Sequence, residues 1–170
     1  MDNPVPELKS ERLLLRGLKP QDFEIYHRFY SDAEASHFYG GPLPEHLAWR
    51  KFAADHGHWI LRGYGMWMCE EKASGEMIGA CGLFWPQGWP RSELTWWILP
   101  EARRKGYALE ASRAVIDYAQ DVLGWDFVET HMDDENEAAR KLALKLGGEV
   151  IAREVFPDGV ARNVYALKRG

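Results

Sequence analysis

The sequence predicts a mixed α+β fold, a largely antiparallel twisted sheet with one parallel pair and about four helices, and three observations carry that prediction. Strand-like segments succeed one another through short turns between residues 64 and 98. The run 108–123 then repeats apolar residues at spacings of three and four, and a further strand-like run follows at 127–132. Strands joined by tight turns pair antiparallel, whereas a strand, helix, strand succession sets its two strands parallel. A chain of 170 residues, 46% hydrophobic and 28% charged, suits a single domain over 1–170 with one sizeable core.

Each element has its own signal. Residues 12–17 read as the first strand. Pro20, at a first helical turn, opens a helix to Tyr30 that carries Phe23, Tyr26, His27 and Tyr30. Residues 35–44 form an aromatic, turn-rich connection. A second helix spans 44–59, with Leu47, Lys51 and Ala54 at helical intervals and Gly57 weakening its end. Segments 64–70 and 76–84 form a hairpin through Lys72-Ala73-Ser74-Gly75, and the Pro-Gly turn at 86–90 leads into a strand over 91–98. In the third helix Ala108, Ala111, Val115, Ala119 and Val122 form one face with Leu109, Ile116 and Leu123 beside them, and Gly124 is its C-cap. A strand at 127–132 precedes a helix at 136–146 with Ala139, Leu142, Ala143 and Leu146 inward, and two last strands flank Pro157-Asp158-Gly159.

The composition excludes some classes of function. A formal net charge of -5 argues against a general nucleic-acid binder, which carries a basic field. Cys69 and Cys81 have no metal-ligand companions and read as small buried hydrophobes; no metal site is expected. The stretch Met1 to Glu7 lacks a basic region followed by an apolar core, and no apolar run approaches the roughly 18 residues of a membrane span. A cytoplasmic protein without membrane partners is the expectation. Exposed aromatics fit a dimer surface or a pocket rim equally, so monomer and homodimer both stay open.

The chemistry is concentrated in Arg103-Arg104-Lys105-Gly106-Tyr107-Ala108, between the strand ending at Ile98 and the third helix. The first N–H groups of a helix lack intrahelical partners and suit phosphate oxygens. Gly106 allows a tight turn, Ala108 keeps bulk away from the ligand, and the three cations complement phosphate charge. A surface turn with three solvated cations is the competing reading on spacing alone.

These residues also carry a resemblance. Arg103, Gly106 and Ala108 match the first, fourth and last positions of the Q/R-x-x-G-x-G/A signature, and the chain resembles the GNAT superfamily of acyl-CoA N-acyltransferases. The string SELTWWILPEARRKGYALEA at 92–111 looks like the branch that includes the acetyltransferases of ribosomal-protein N-termini. Glu11-Arg12-Leu13-Leu14-Leu15-Arg16 resembles that branch's first strand, and Asn136 through Lys145-Leu146-Gly147 its last helix. Together the matches run from about residue 8 to 168.

The resemblance implies a GNAT-like fold with the parallel pair splayed, a V-shaped opening between the strand at Ile98 and the strand at Phe127, and acetyl-CoA as acyl donor lying in it. Backbone groups near Trp97, Ile98 and Leu99 would pair with the pantetheine amides as an added strand does, and an N–H around Trp97 or Ile98 would polarise the thioester and hold the oxyanion of a tetrahedral intermediate. Asn136 corresponds to the Asn that approaches the pantetheine, while its place after Asp133-Asp134-Glu135 also makes it an N-cap. Trp96 and Trp97 read as core aromatics. Alternation puts Glu93, Thr95 and Trp97 on one strand face, which makes Glu93 the candidate base for removing a proton from an amine; the competing reading pairs it with Arg91 or solvent. Where relatives carry Ser or Tyr as acid, this chain has Ala139 and Ala143, and Gly147-Gly148 replaces Gly-Phe. Water, Tyr165 or His131 is then left to serve the thiolate. His37, Phe38, Tyr39, Trp85 and Trp89 are candidates for an aromatic acceptor wall, suited to a flat or cationic acceptor: a small-molecule amine, an amino acid or a peptide N-terminus. The expected activity is N-acetyl transfer by direct attack. A non-enzymatic acyl-CoA binder is the alternative that Ala139 and Ala143 raise, and a nucleotide module the third, against which the absent Gly-x-x-x-x-Gly-Lys-Ser/Thr loop counts.

Overall fold

The structure, a computed structural model, describes residues 5–168; the ends of the expected 1–170 domain, and the first four residues of the stretch read for a leader, lie outside them. Five antiparallel strands form one sheet in the order β1 (Leu8–Lys9), β2 (Leu13–Arg16), β3 (Met66–Glu71), β4 (Met77–Phe84), β5 (Glu93–Ile98). Three more, β6 (Val128–His131), β7 (Glu149–Val155) and β8 (Ala161–Leu167), form a second antiparallel sheet in the order β6-β8-β7. The helices are α1 (Phe23–Ser31), α2 (Glu45–Arg62), α3 (Tyr107–Asp121) and α4 (Glu137–Lys145).

The expected parallel pair is β5 and β6, the strands that α3 connects. They are splayed so far that no ladder joins them, and each is an edge of a different sheet. A side-chain bond spans the break, from Thr130 Oγ1 to the Leu94 carbonyl (2.8 Å). This break follows from packing rather than from local propensity, because α3 and α4 fill the space on one side with a shared core. Ala111, Val115, Ala139 and Ala143 pack there with Leu94, Trp96 and Ile98 of β5 and with Val128 and Tyr165 of the second sheet.

The opposite face of the first sheet carries a separate aromatic core. Tyr26, Phe29 and Tyr30 of α1 and Phe52 of α2 pack with Met66, Met68, Trp97 and Leu99. Trp97 stacks on Phe29 at 4.4 Å between centroids and meets Tyr26 edge-on at 5.0 Å, arrangements favoured by the ring quadrupole. The strict alternation of β5 therefore serves two cores, one on each face, where the composition led to the expectation of one. Gly79 lets the two strands approach: a Cβ there would lie 2.1 Å from the Trp97 carbonyl oxygen.

Two helices differ from expectation in which face is buried. In α2 the stripe is Ala48, Phe52, Asp55 and Trp59, not Leu47, Lys51 and Ala54, and the helix continues past Gly57 to the left-handed Gly63. In α3 Val122, the C-cap, is exposed although its N–H still donates to the Tyr118 carbonyl (2.9 Å). Before α1, the Asp22 carboxylate accepts from Lys19 N (2.7 Å) and from both Arg16 terminal nitrogens (2.8 and 3.0 Å), pinning the helix start to β2. Both cysteines are free and buried.

Candidate active site

The turn before α3 has the conformation the sequence calls for. Gly106 is the N-cap with φ 81°, and Arg104 also takes a positive φ, 63°, a placement that costs a non-glycine residue about 1–3 kcal/mol. Among the described residues, the N–H groups of residues 104–109 donate to no protein acceptor; the first amide of this stretch to find one is Glu110 N, to the Gly106 carbonyl (3.1 Å). Arg104, Lys105 and Gly106 are exposed around them. Arg12 holds the turn from behind, donating to the Lys105 carbonyl (2.8 Å), pairing with Glu110 (2.7 Å) and stacking over the Tyr107 ring (4.4 Å).

Arg103 also reaches back toward the sheet. Its guanidinium turns back to donate to the carbonyls of Ile98 (3.1 Å) and Ala35 (3.3 Å), bracing the turn against the end of β5. Along β5 the direction of the amides is also settled. Leu99 N–H donates to the Ile78 carbonyl (2.9 Å), and alternation in the regular β4–β5 ladder directs the Trp97 amide to β4 as well. The backbone groups facing the break are therefore those of Leu94, Trp96 and Ile98, while Trp97 and Leu99 turn theirs to β4.

At the other end of the break lies a cavity of about 300 Å³. Glu93, Thr95 and Trp97 form its floor, Tyr30, Phe38, Tyr39, Phe84 and Trp89 supply aromatic walls, and Thr130, His131 and Asn136 close the β6 and α4 side. Glu93 is withdrawn from solvent, and this burial pushes its carboxyl up to about 8, against the opposite pull of Lys51 and Arg162. Its nearest ionisable neighbour is His131, with Nε2 to Oε2 at 3.4 Å. Burial, then the Arg162 and Arg91 charges, push His131 down to about 4, so its ring is neutral at neutral pH, and Nε2 has no hydrogen-bond partner among the described residues. The competing reading of Glu93 as a partner of Arg91 fails, because Arg91 is held by Glu129 (2.8 Å) and Glu154.

Residues 12–149 match the family described as Acetyltransferase (GNAT) domain. The chain belongs to the GNAT acetyltransferases. It is similar over almost its whole length to YoaA of Bacillus subtilis (strain 168), called an uncharacterized N-acetyltransferase: 30% identity, covering 95% of this chain and 96% of the relative. Among solved structures, the acetyltransferase from Agrobacterium tumefaciens str. C58 superposes with a TM-score of 0.88 at 29% identity, covering 98% and 96% of the two chains. The ribosomal L7/L12 alpha-N-protein acetyltransferase RimL in complex with coenzyme A shares the fold alone, with a TM-score of 0.76 at 14% identity over 96% and 99%.

Within this GNAT enzyme several expected site residues meet. Glu93, Trp97, Phe38, Tyr39, Trp89 and Asn136 border one cavity. Asn136 is the α4 N-cap, its Oδ1 accepting from Ala139 N (3.2 Å), and it also borders the cavity. His37 and Trp85 do not border the cavity. His37 is exposed and lies against the Phe38 ring (4.8 Å), while Trp85 faces outward under Arg62 with its indole bonded to the Trp89 carbonyl (2.7 Å). Of the two proposed donors, His131 is in the site, whereas Tyr165 borders a smaller polar pocket with Asp134 and Arg153.

Sequence reasoning missed Lys51, Asp55, Asp158 and Arg162, all of which border the cavity. Asp55 had a signal, a carboxylate in phase with Ala48, Phe52 and Trp59 on the buried stripe. Lys51 lies over the Phe84 ring (4.2 Å) and Arg162 over Phe156 (5.2 Å), two rings outside the expected wall. Among the described residues, no group of three or more His, Cys, Asp or Glu is placed to hold a metal, and no helix is long and apolar enough to cross a membrane.

Proposed function

We propose that this GNAT acetyltransferase moves the acetyl group of acetyl-CoA to a primary amine by direct attack, with Glu93 as the base. The observation that carries this reading is Glu93 itself: a withdrawn carboxyl, raised to about 8, on the cavity floor beside the break between β5 and β6. A general base works best with a pKa near the operating pH.

Acetyl-CoA would supply the activated acyl group. The unpaired amides of residues 104–109 with Arg104 and Lys105 suit its diphosphate, and the backbone of Trp96 and Ile98, with Asn136 opposite, suits the arm that leads to the cavity. Glu93 in its carboxylate form takes the proton of the incoming ammonium, and a neutral His131 beside it offers the protonated carboxyl an acceptor. Burial pushes both thiols up, Cys81 to about 12, which supports direct transfer over a route through a cysteine. Ala139 and Ala143 offer no proton to the departing thiolate, and solvent is assigned that part; a thiol pKa of about 8.5 makes this less demanding than deprotonating a lysine-like amine at about 10.4.

An amine and peptide panel with acetyl-CoA, read as free thiol release, tests the reading. Turnover of a primary amine that Glu93→Gln lowers about 10²–10⁴-fold while coenzyme A binding persists is the expected result. A broad panel left unmodified by a protein that binds acetyl-CoA would contradict it.

A further inference from the structure

Two cations border the cavity that acetyl transfer itself does not need: Lys51 from α2 and Arg162 from β8. Both are fixed. Lys51 Nζ donates to Asp55 Oδ1 (2.8 Å), and Asp55, fully buried, is itself held by Tyr26 Oη (2.8 Å). Arg162 donates to both oxygens of Asp158 (3.1 and 2.6 Å). Each rests on an aromatic ring, Phe84 or Phe156. Donors remain on both: an ammonium has three N–H groups and a guanidinium five, of which the protein engages one and two.

Asp55, Asp133 and Asp158 border the cavity too, yet the charges that act on Glu93 are the two cations, which draw its carboxyl toward ionisation. A diamine or polyamine would bring a second positive charge beside Lys51 and Arg162, and a simple alkylammonium offers neither cation anything to bind. An acceptor with an anion next to its amine is electrically matched, because the spare donors of Lys51 and Arg162 can receive the anion while the amine turns to Glu93. A planar carboxylate suits them, and the volume of about 300 Å³ with Tyr39, Phe84 and Trp89 as walls suits a small apolar or aromatic body.

We infer that the acceptor is a small amine that carries its own carboxylate, of the α-amino acid class, held by Lys51 and Arg162 with its nitrogen toward Glu93. This narrows the substrate of the transfer proposed above and rests on that reading.

Matched pairs that differ only in the carboxylate test it: L-phenylalanine against phenethylamine, L-tryptophan against tryptamine, L-leucine against 3-methylbutylamine, each with acetyl-CoA. The expected result is a kcat/KM about tenfold or more higher for at least one acid than for its decarboxylated partner, the scale of a charge-assisted hydrogen bond. That ratio falls toward one in Arg162→Gln and in Lys51→Met. Because Lys51→Met strands the Asp55 charge, Lys51→Met/Asp55→Asn is measured beside it; loss of either cation also weakens the pull on the Glu93 carboxyl, which acts alike on both members of a matched pair. Calorimetry of N-acetyl-L-phenylalanine against N-acetylphenethylamine with the enzyme alone reads the same preference without turnover. Decarboxylated partners that are as good or better in both assays, or a preference that survives in all the variants, overturn the inference. Absence of turnover with a retained, Arg162-dependent preference in calorimetry upholds the carboxylate site and refutes the transfer reading instead.

Discussion

Glu93 is a carboxyl whose burial sets both its reactivity and its cost. With its pKa raised to about 8, it is mostly protonated at neutral pH, so kcat/KM is expected to rise as pH increases through about 8 and level off above it. A pH profile without an acid limb in that range would contradict the assignment. Linkage gives the matching stability effect. The folded value lies above the unfolded one, so the wild type loses stability as pH rises from the ordinary carboxylate range to about 8 and loses no more beyond. Glu93→Gln removes that loss, and denaturation should show the variant gaining on the wild type between pH 5 and 8, by on the order of 2–4 kcal/mol at the top. Glu93 could be found from the sequence because strand alternation puts it in phase with Thr95 and Trp97. Lys51 and Arg162 could not, since a lone cation on a helix or strand reads as solvated until its carboxylate and ring partners are brought to it by the fold.

At the scale of elements, α3 is the part most fully written in its own residues. Its apolar period, its glycine turn and its basic approach are all local, and the structure begins the helix at Tyr107, one residue before the predicted start. What holds the turn in place is not local. Arg12, from the entrance to β2, joins the Lys105 carbonyl to Glu110 across nearly a hundred residues. Arg12→Ala is therefore expected to raise KM for acetyl-CoA several-fold with little change in kcat, and steady-state kinetics with unchanged KM would remove Arg12 from this part. The second helix shows the opposite case. Leu47, Lys51 and Ala54 satisfy helical spacing as well as Ala48, Phe52, Asp55 and Trp59 do, and only packing against the α1 aromatics selects between the two stripes. The two-residue β1 is too short to leave a pattern at all.

Across the molecule, the functional feature is a discontinuity: a sheet interrupted between β5 and β6, with helices filling one side and the cavity opening at the other. No residue pattern encodes that interruption, because strand pairing is a long-range choice. It was expected only through the likeness of residues 92–111 and their flanks to a known family. The Thr130 hydroxyl bonded to the Leu94 carbonyl is a side-chain tie across it, beside the Arg91–Glu129 pair. Thr130→Val should cost about 1–2 kcal/mol of stability, and hydrogen exchange should show faster opening of both strands; equal protection in the variant would mean that the cores alone set the spacing. Every step of the proposed transfer requires the diphosphate to lie against the amides that open α3. Calorimetric titration of coenzyme A into Gly106→Glu, which places bulk and negative charge at that spot, tests this most directly. A loss of affinity of at least about a hundredfold in a variant that stays folded is predicted, and an affinity equal to that of the wild type would contradict it.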